Sequence, residues 1–165
     1  MLSLLAALTL LAAPQVKIVG ALPRTGAVDR AALEKLGPTT VKWKEHGAEH
    51  TVTGVPLDKV LASFGFEPGS MGMDVPKAEK RKGWKMALVA TAPDGFQAVF
   101  SCAELAEGMG LTRALLVWAV DGKPLAPDMG PFRIVVLTDQ EPSRSVHQVS
   151  QLEVVDLRKV AKPAQ

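Results

Sequence analysis

The chain has 165 residues, of which 47% are hydrophobic and 22% are charged. This composition excludes wholesale disorder, and the length suits one compact core that buries roughly 70% of the surface of the unfolded chain. The 19 basic and 17 acidic residues give a formal net charge of +2, which excludes the strongly basic surface that is typical of proteins that bind nucleic acid.

An uncharged apolar run opens the chain over residues 2–13. Its length suits the hydrophobic region of a signal peptide and falls short of the about 20 residues that a membrane-spanning helix needs. We therefore predict a signal peptide over 1–13; the alternative is an N-terminal core helix. The expected product is a periplasmic or secreted protein without a transmembrane segment after signal removal, with one domain over 14–160 and a disordered tail over 161–165.

The first half of the mature domain predicts two short helices and two short strands. Asp29 is a suitable N-cap for a helix over 30–36, because a Gly-Pro pair follows that segment and stops helices. The segments 40–43 and 50–53 predict strands on either side of a turn. A second helix is expected over 56–63, where a proline suits the first turn and the apolar residues share one face.

The second half predicts mostly strands. Ser101 and Glu104 form an S-x-x-E capping box, which predicts a third helix over 102–108. Asp-Gly pairs at 94–95 and 121–122 mark turns between strands. The predicted strands cover 84–91, 96–101, 115–120, 132–137 and 149–157.

Strands dominate this pattern, so the predicted fold class is α+β: a single domain with a mixed, mainly β-sheet structure and three short helices. We expect one core beneath the second helix, to which Val60 and Leu61 contribute. Its other predicted members are Leu88, Val89, Phe100, Leu116, Val117, Val135, Val136 and Val154.

The order of the motifs along the chain resembles one known family. The motifs are T-G-V-P-L-D-K-V-L at 53–61, T-A-P-D-G-F-Q-A-V-F at 91–100, V-D-G-K-P-L at 120–125, G-P-F-R-I-V-V at 130–136 and R-S-V-H at 144–147. This ordered set resembles the molybdopterin-binding domain of the sulfite oxidase family, in its short stand-alone bacterial form. The resemblance extends over roughly residues 15–157.

The resemblance implies molybdopterin as cofactor and a molybdopterin-dependent oxidoreductase with a separate electron-transfer or membrane redox partner, since no C-x-x-C-H haem motif is present. In the family a protein thiolate completes the molybdenum ligands, as a soft ligand suited to that metal. That cysteine lies shortly upstream of the G-V-P-L motif, whereas residues 41–50 contain no cysteine. Three functions stay open: an exported oxidoreductase, a non-catalytic anion- or partner-binding module of the same fold, and a purely structural domain.

The resemblance also implies four cofactor-binding residues: Arg133, Arg144, Ser145 and His147. In the family an R-S-V-K stretch lies against the pterin phosphate; here His147 replaces the lysine, so its positive charge is only partly present near neutral pH. Arg133 matches an arginine of the family and would donate two hydrogen bonds to a phosphate. We expect both arginines to converge on one cleft with Ser145 and His147 at its wall. The alternative is that both are surface residues paired with Asp or Glu.

Cysteine and histidine complete the candidate residues. Cys102 is the only cysteine; a helix N-terminus would favour its thiolate, but its apolar neighbours favour a small buried side chain outside coordinating reach of the cleft. His46 and His50 are four residues apart, yet Gly47 between them favours a turn, where this spacing does not place them on one face. We therefore predict no metal site formed by protein side chains alone.

Overall fold

Two β-sheets form the frame of the described residues, which are 13–66, 82–106 and 113–160 of a computed structural model. The strands are β1 (Gln15–Gly20), β2 (Gly26–Asp29), β3 (Thr39–Glu45), β4 (Ala48–Pro56), β5 (Met86–Thr91), β6 (Gln97–Ser101), β7 (Ala114–Val120), β8 (Lys123–Pro124), β9 (Arg133–Val136) and β10 (Gln151–Asp156). The predicted signal peptide, apart from Ala13, lies outside the described residues, as do the predicted tail and the end of the predicted third helix.

The first sheet has the strand order β2-β1-β10-β5-β6, and the second has the order β3-β4-β7-β8 with β9 also paired to β7. β1 and β10 pair in parallel, while the other paired strands are antiparallel. The sequence predicted neither β1 nor β2, which lie within residues 15–29. The parallel pairing brings the two ends of the domain together in one sheet.

Three short α-helices accompany the sheets in the described residues: α1 (Arg30–Glu34), α2 (Leu57–Ser63) and α3 (Leu157–Val160). The predicted N-cap is confirmed, because the Asp29 carboxylate accepts a hydrogen bond of 2.8 Å from the Ala32 amide. The prediction of a helix from residue 102 is wrong for the described part. The capping-box bond from the Ser101 amide to Glu104 forms at 2.9 Å, but residues 102–105 make only turns.

The core consists of two apolar clusters rather than the single one predicted, and the predicted member Val89 is half-buried and belongs to neither. The main cluster lies between the sheets and includes the buried residues of α2. It also contains five other residues that were predicted for the core: Leu88, Phe100, Leu116, Val136 and Val154. The second cluster lies on the other face of the second sheet: Trp43, Val52, Leu115, Val117 and Val135. The split follows from the alternation of side chains along β7 and β9, whose successive residues point to opposite faces.

The predicted α+β class, with a single mainly β domain, is confirmed by this architecture. Within the described ranges, no helix is long and apolar enough to cross a membrane.

Candidate functional site

Ser145 and His147 belong to a segment that follows the 3₁₀ turn Pro142–Arg144 and runs beside β9. The Ile134 amide donates to the carbonyl oxygen of Val146 at 2.9 Å, and the Val146 side chain is fully buried in the main cluster. Val146 therefore anchors the segment, and Ser145 and His147 flank this anchor.

A cleft of about 210 Å³ lies beside this segment. Ser145 and His147 line it together with Ala92, Asp94 and Phe96 from the turn between β5 and β6. Two of the four predicted site residues therefore line the same cleft. Neither predicted arginine lines this cleft.

Arg133 lies inside the protein, with 1% of its side chain exposed, and its charge is balanced by Glu45 at the end of β3. Its Nη2 donates to Oε1 of Glu45, and its Nη1 donates to Oε2 at 3.3 Å. Nη1 also contacts the Met129 sulfur at 3.4 Å, and the guanidinium carbon lies 4.8 Å from the centre of the Trp43 ring. The guanidinium group is thus enclosed by a carboxylate, a thioether and an aromatic face.

The Nε atom of Arg133 connects this side chain to the R-S-V-H segment. Arg133 Nε donates to the Ser145 hydroxyl at 3.0 Å, and that hydroxyl donates to the Ile134 carbonyl at 2.6 Å. The Ser145 hydroxyl therefore already serves as a donor and as an acceptor within the fold. Its role in the described geometry is to hold the Arg133 side chain in place.

Arg144 is bound by two other acidic residues. Its Nε and Nη2 donate to Asp139 at 2.9 and 2.6 Å, and its Nη1 donates to Glu104 at 3.2 Å. The guanidinium carbon also lies 5.1 Å from the centre of the Phe100 ring. The hydrogen bonds that Arg144 donates to Asp139 raise the pKa of Arg144 above its usual value. Both predicted arginines therefore form the ion pairs of the alternative interpretation, although Arg133 is buried rather than on the surface.

His147 adds little positive charge to the cleft near neutral pH. Burial lowers the pKa of its imidazole, and the positive charge of Arg133 lowers it further, although Glu45 and Asp128 act in the opposite direction. The carboxylate of Asp94 lies on the same cleft and accepts a 2.9 Å hydrogen bond from the Phe96 amide. The cleft thus offers hydrogen-bond acceptors and an aromatic ring rather than a concentration of cations.

Cys102 is fully buried in the main cluster and does not line the cleft, as predicted for a core side chain. Burial raises the pKa of its thiol from 9.0 to about 12, with a smaller contribution from the negative charge of Glu104. The thiol therefore stays protonated across the physiological range and is a poor nucleophile.

The segment that carries the metal-binding cysteine in the family forms here the β3–β4 hairpin, closed by a two-residue turn at His46 and Gly47. His50 lies on β4, and its Nδ1 is 2.8 Å from Oδ2 of Asp121. Across residues 13–66, 82–106 and 113–160, no group of three or more His, Cys, Asp or Glu side chains is placed to hold a metal ion.

Glu45 and Asp139 are the charged residues that sequence reasoning missed. The F-R-I-V-V motif gave a signal, because an arginine within an apolar strand requires a counter-charge. It did not identify that partner, since Glu45 lies 88 residues away from Arg133 along the chain.

These residues do not fit a molybdenum site that is completed by a protein thiolate. The single thiol is enclosed in the core, and the hairpin at the expected position carries Glu45 in an ion pair. The binding of a cofactor by Arg133, Arg144, Ser145 and His147 stays a prediction.

Comparison with known proteins identifies the fold independently. The pattern of the oxidoreductase molybdopterin binding domain family matches residues 5–161. No match was found among curated proteins. The structure is similar to that of the sulfane dehydrogenase SoxCD from Paracoccus pantotrophus, with a TM-score of 0.64 and 16% sequence identity. The similarity covers 87% of this chain and 38% of that one, and at this identity it shows a shared fold.

Proposed function

The chain belongs to the oxidoreductase molybdopterin-binding domain family, and from this premise we propose that it is a non-catalytic binding module of that family. The observation that carries the proposal is the state of Cys102, the only thiol in the sequence. Its side chain has 0% exposure and packs in the main cluster, away from the lining of the cleft. A molybdenum ion that needs a thiolate from the protein has no such ligand in this chain.

Metal analysis tests this proposal directly. The protein is purified from a host that synthesises the molybdenum cofactor, and molybdenum and pterin are measured per chain, with Cys102→Ala as the matched variant. We expect no stoichiometric molybdenum in either protein. One molybdenum per chain in the wild type would refute the proposal, and its loss in Cys102→Ala would identify the thiol as the metal ligand.

The cleft beside Ser145 and His147 is the binding site that we propose for this module. Asp94 supplies a carboxylate, and the ring of Phe96, which is 46% exposed, supplies a flat apolar surface. This combination favours a neutral ring compound whose N–H groups donate to Asp94 while its face stacks on Phe96. It disfavours a free anion, since the carboxylate repels negative charge.

A metal-free pterin such as neopterin is a suitable probe for this cleft. Its fluorescence would be titrated against the wild type, Asp94→Asn and Glu49→Gln. Asp94→Asn removes the acceptor charge and should weaken binding by roughly tenfold, the scale of one hydrogen bond to a charged group. Glu49→Gln removes the same charge from an exposed residue of β4 and should leave the affinity unchanged. Equal affinities in all three proteins, or no binding at all, would refute this cleft as the site.

We further propose that the protein is exported, with periplasmic or secreted location. The support comes from the apolar run over 2–13, and the first strand begins directly after it, at Gln15. Removal of residues 1–13 would therefore leave β1 intact. Mass spectrometry of protein from its native host should find a start near Pro14 or Gln15. Protein that retains Met1 and fractionates with the cytoplasm would argue against export.

A further inference from the structure

Glu45 occupies the position that an anion would need in order to reach Arg133. Its two carboxylate oxygens accept from the two terminal nitrogens of the guanidinium group, which is the geometry in which arginine binds a phosphate or a carboxylate. The Ser145 hydroxyl engages the third nitrogen at 3.0 Å. Every nitrogen of the Arg133 side chain therefore has a partner within the protein.

We infer that Glu45 is an internal carboxylate that closes an oxyanion site at Arg133, so that a tetrahedral oxyanion of the phosphate or sulfate class binds there only when the Glu45 carboxylate is absent. This inference concerns the cation at residue 133 and does not depend on the proposed absence of molybdenum or on the cleft at Asp94.

Burial explains why the position must be filled by a negative charge. Arg133 is 1% exposed, and an uncompensated charge at this depth is strongly destabilising. The Met129 sulfur and the Trp43 ring are weak partners for a cation compared with a carboxylate. If the Glu45 carboxylate is removed, an anion from the solvent is the remaining source of compensation.

The geometry also provides a route for that anion. Glu45 is 18% exposed, whereas Arg133 is almost completely enclosed. Solvent therefore reaches the Glu45 side chain, which lies next to the turn at His46 and Gly47, but not the Arg133 side chain behind it. Truncating the Glu45 side chain would leave a small opening that ends at the guanidinium group.

The variants follow from this arrangement. Glu45→Ala removes the charge and opens space, Glu45→Gln removes the charge but keeps the volume, and Glu45→Ala with Arg133→Met also removes the cation. Glu49→Ala is the charge-matched control, because Glu49 lies on the same hairpin in an exposed pair with Lys42. Each protein is titrated with inorganic phosphate and with sulfate at constant ionic strength, by calorimetry and by thermal unfolding.

We expect Glu45→Ala to bind phosphate or sulfate roughly tenfold or more tightly than the wild type, in keeping with a charge-assisted hydrogen-bonded contact. Its midpoint of unfolding should rise with anion concentration more steeply than those of the wild type, Glu49→Ala and the double variant, which show only the general stabilisation by these excluded salts. If Glu45→Ala does not fold in dilute buffer, its recovery of folded structure with increasing phosphate or sulfate is measured instead; recovery that requires Arg133 is expected, and no recovery would overturn the inference. The inference is overturned if the folded variant gains no affinity over the wild type, or if the double variant retains the gain.

Discussion

Gly54 of β4 lies against Val117 of β7 so closely that a side chain has no room between the two strands. A Cβ atom on Gly54 would stand 2.8 Å from the Cα atom of Val117, and it would be closer still to the carbonyl oxygen of Leu116. The register between β4 and β7 also shifts between Thr53 and Gly54. The glycine of the T-G-V-P-L motif therefore sets how closely the two strands approach.

Gly54→Ala should destabilise the protein, because the obstructing atoms are backbone and cannot rotate away. A cost of about 1–3 kcal/mol is expected from overpacking of this kind. Urea unfolding of the variant would measure it. Glu49→Gln on the same strand is exposed and should change the free energy of unfolding by less than about 0.5 kcal/mol. Equal stabilities of the glycine and alanine proteins would show that the strands separate easily.

Leu116 and Val117 are neighbours on β7 but belong to different clusters, so their truncations test the two-cluster core. Leu116→Ala should cost about 2–5 kcal/mol, the usual range for a fully buried leucine. Val117→Ala should cost about 1–2 kcal/mol, at roughly 0.8 kcal/mol for each buried methylene. Val99→Ala on β6 is the control, since Val99 is 57% exposed and should lose almost nothing. A costly Val99→Ala would contradict the described packing.

Local sequence signals predicted the turns better than the sheet arrangement. The Asp-Gly pairs form turns with left-handed backbone at Gly95 and at Asp121 and Gly122, as the chemistry of these residues favours. The division into two sheets and the strands β1 and β2 were not predicted. β1 pairs with β10, which lies at the other end of the domain, and no local pattern specifies such a distant partner.

Cys102 should be unreactive in the folded protein, because its thiol is buried and its pKa is raised to about 12. A thiol reagent at pH 8 should modify it only after unfolding, since the thiolate is the reactive form. The raised pKa also predicts a pH effect. The unfolded chain releases the thiol proton near pH 9.0, whereas the folded chain releases it only near pH 12. The contribution of the protonated thiol to the free energy of unfolding is therefore complete below pH 9 and declines as the pH rises from 9 to 12.

Denaturant titrations from pH 8 to 11 would measure that decline, with Cys102→Ala as the control. The alanine variant should lose less stability over this interval than the wild type. Rapid modification of the native protein at pH 8 would show that the thiol is accessible, and it would also weaken the proposal of a non-catalytic module.

The charges around the candidate site could not be predicted from the sequence. Ser145 and His147 of the R-S-V-H motif line one cleft, whereas the two arginines expected beside them do not line it. The sequence could not show whether Arg133 and Arg144 are paired with carboxylates, because this depends on which acidic residues the fold brings to them. Glu45 comes from β3, and Asp139 precedes the R-S-V-H segment by only a few residues.

The Arg133–Glu45 pair should show strong and unequal coupling in a double-mutant cycle. Glu45→Gln leaves a cation that is 1% exposed without its counter-charge, which should cost about 3–5 kcal/mol. Arg133→Met should cost less, because the Glu45 carboxylate is 18% exposed and water can hydrate it. Combining the two changes should cost clearly less than the sum of the single effects, since the second substitution removes the unpaired charge. Unfolding in urea at low phosphate and sulfate concentrations would measure all four proteins; additive effects would mean that the pair does not stabilise the fold as a unit.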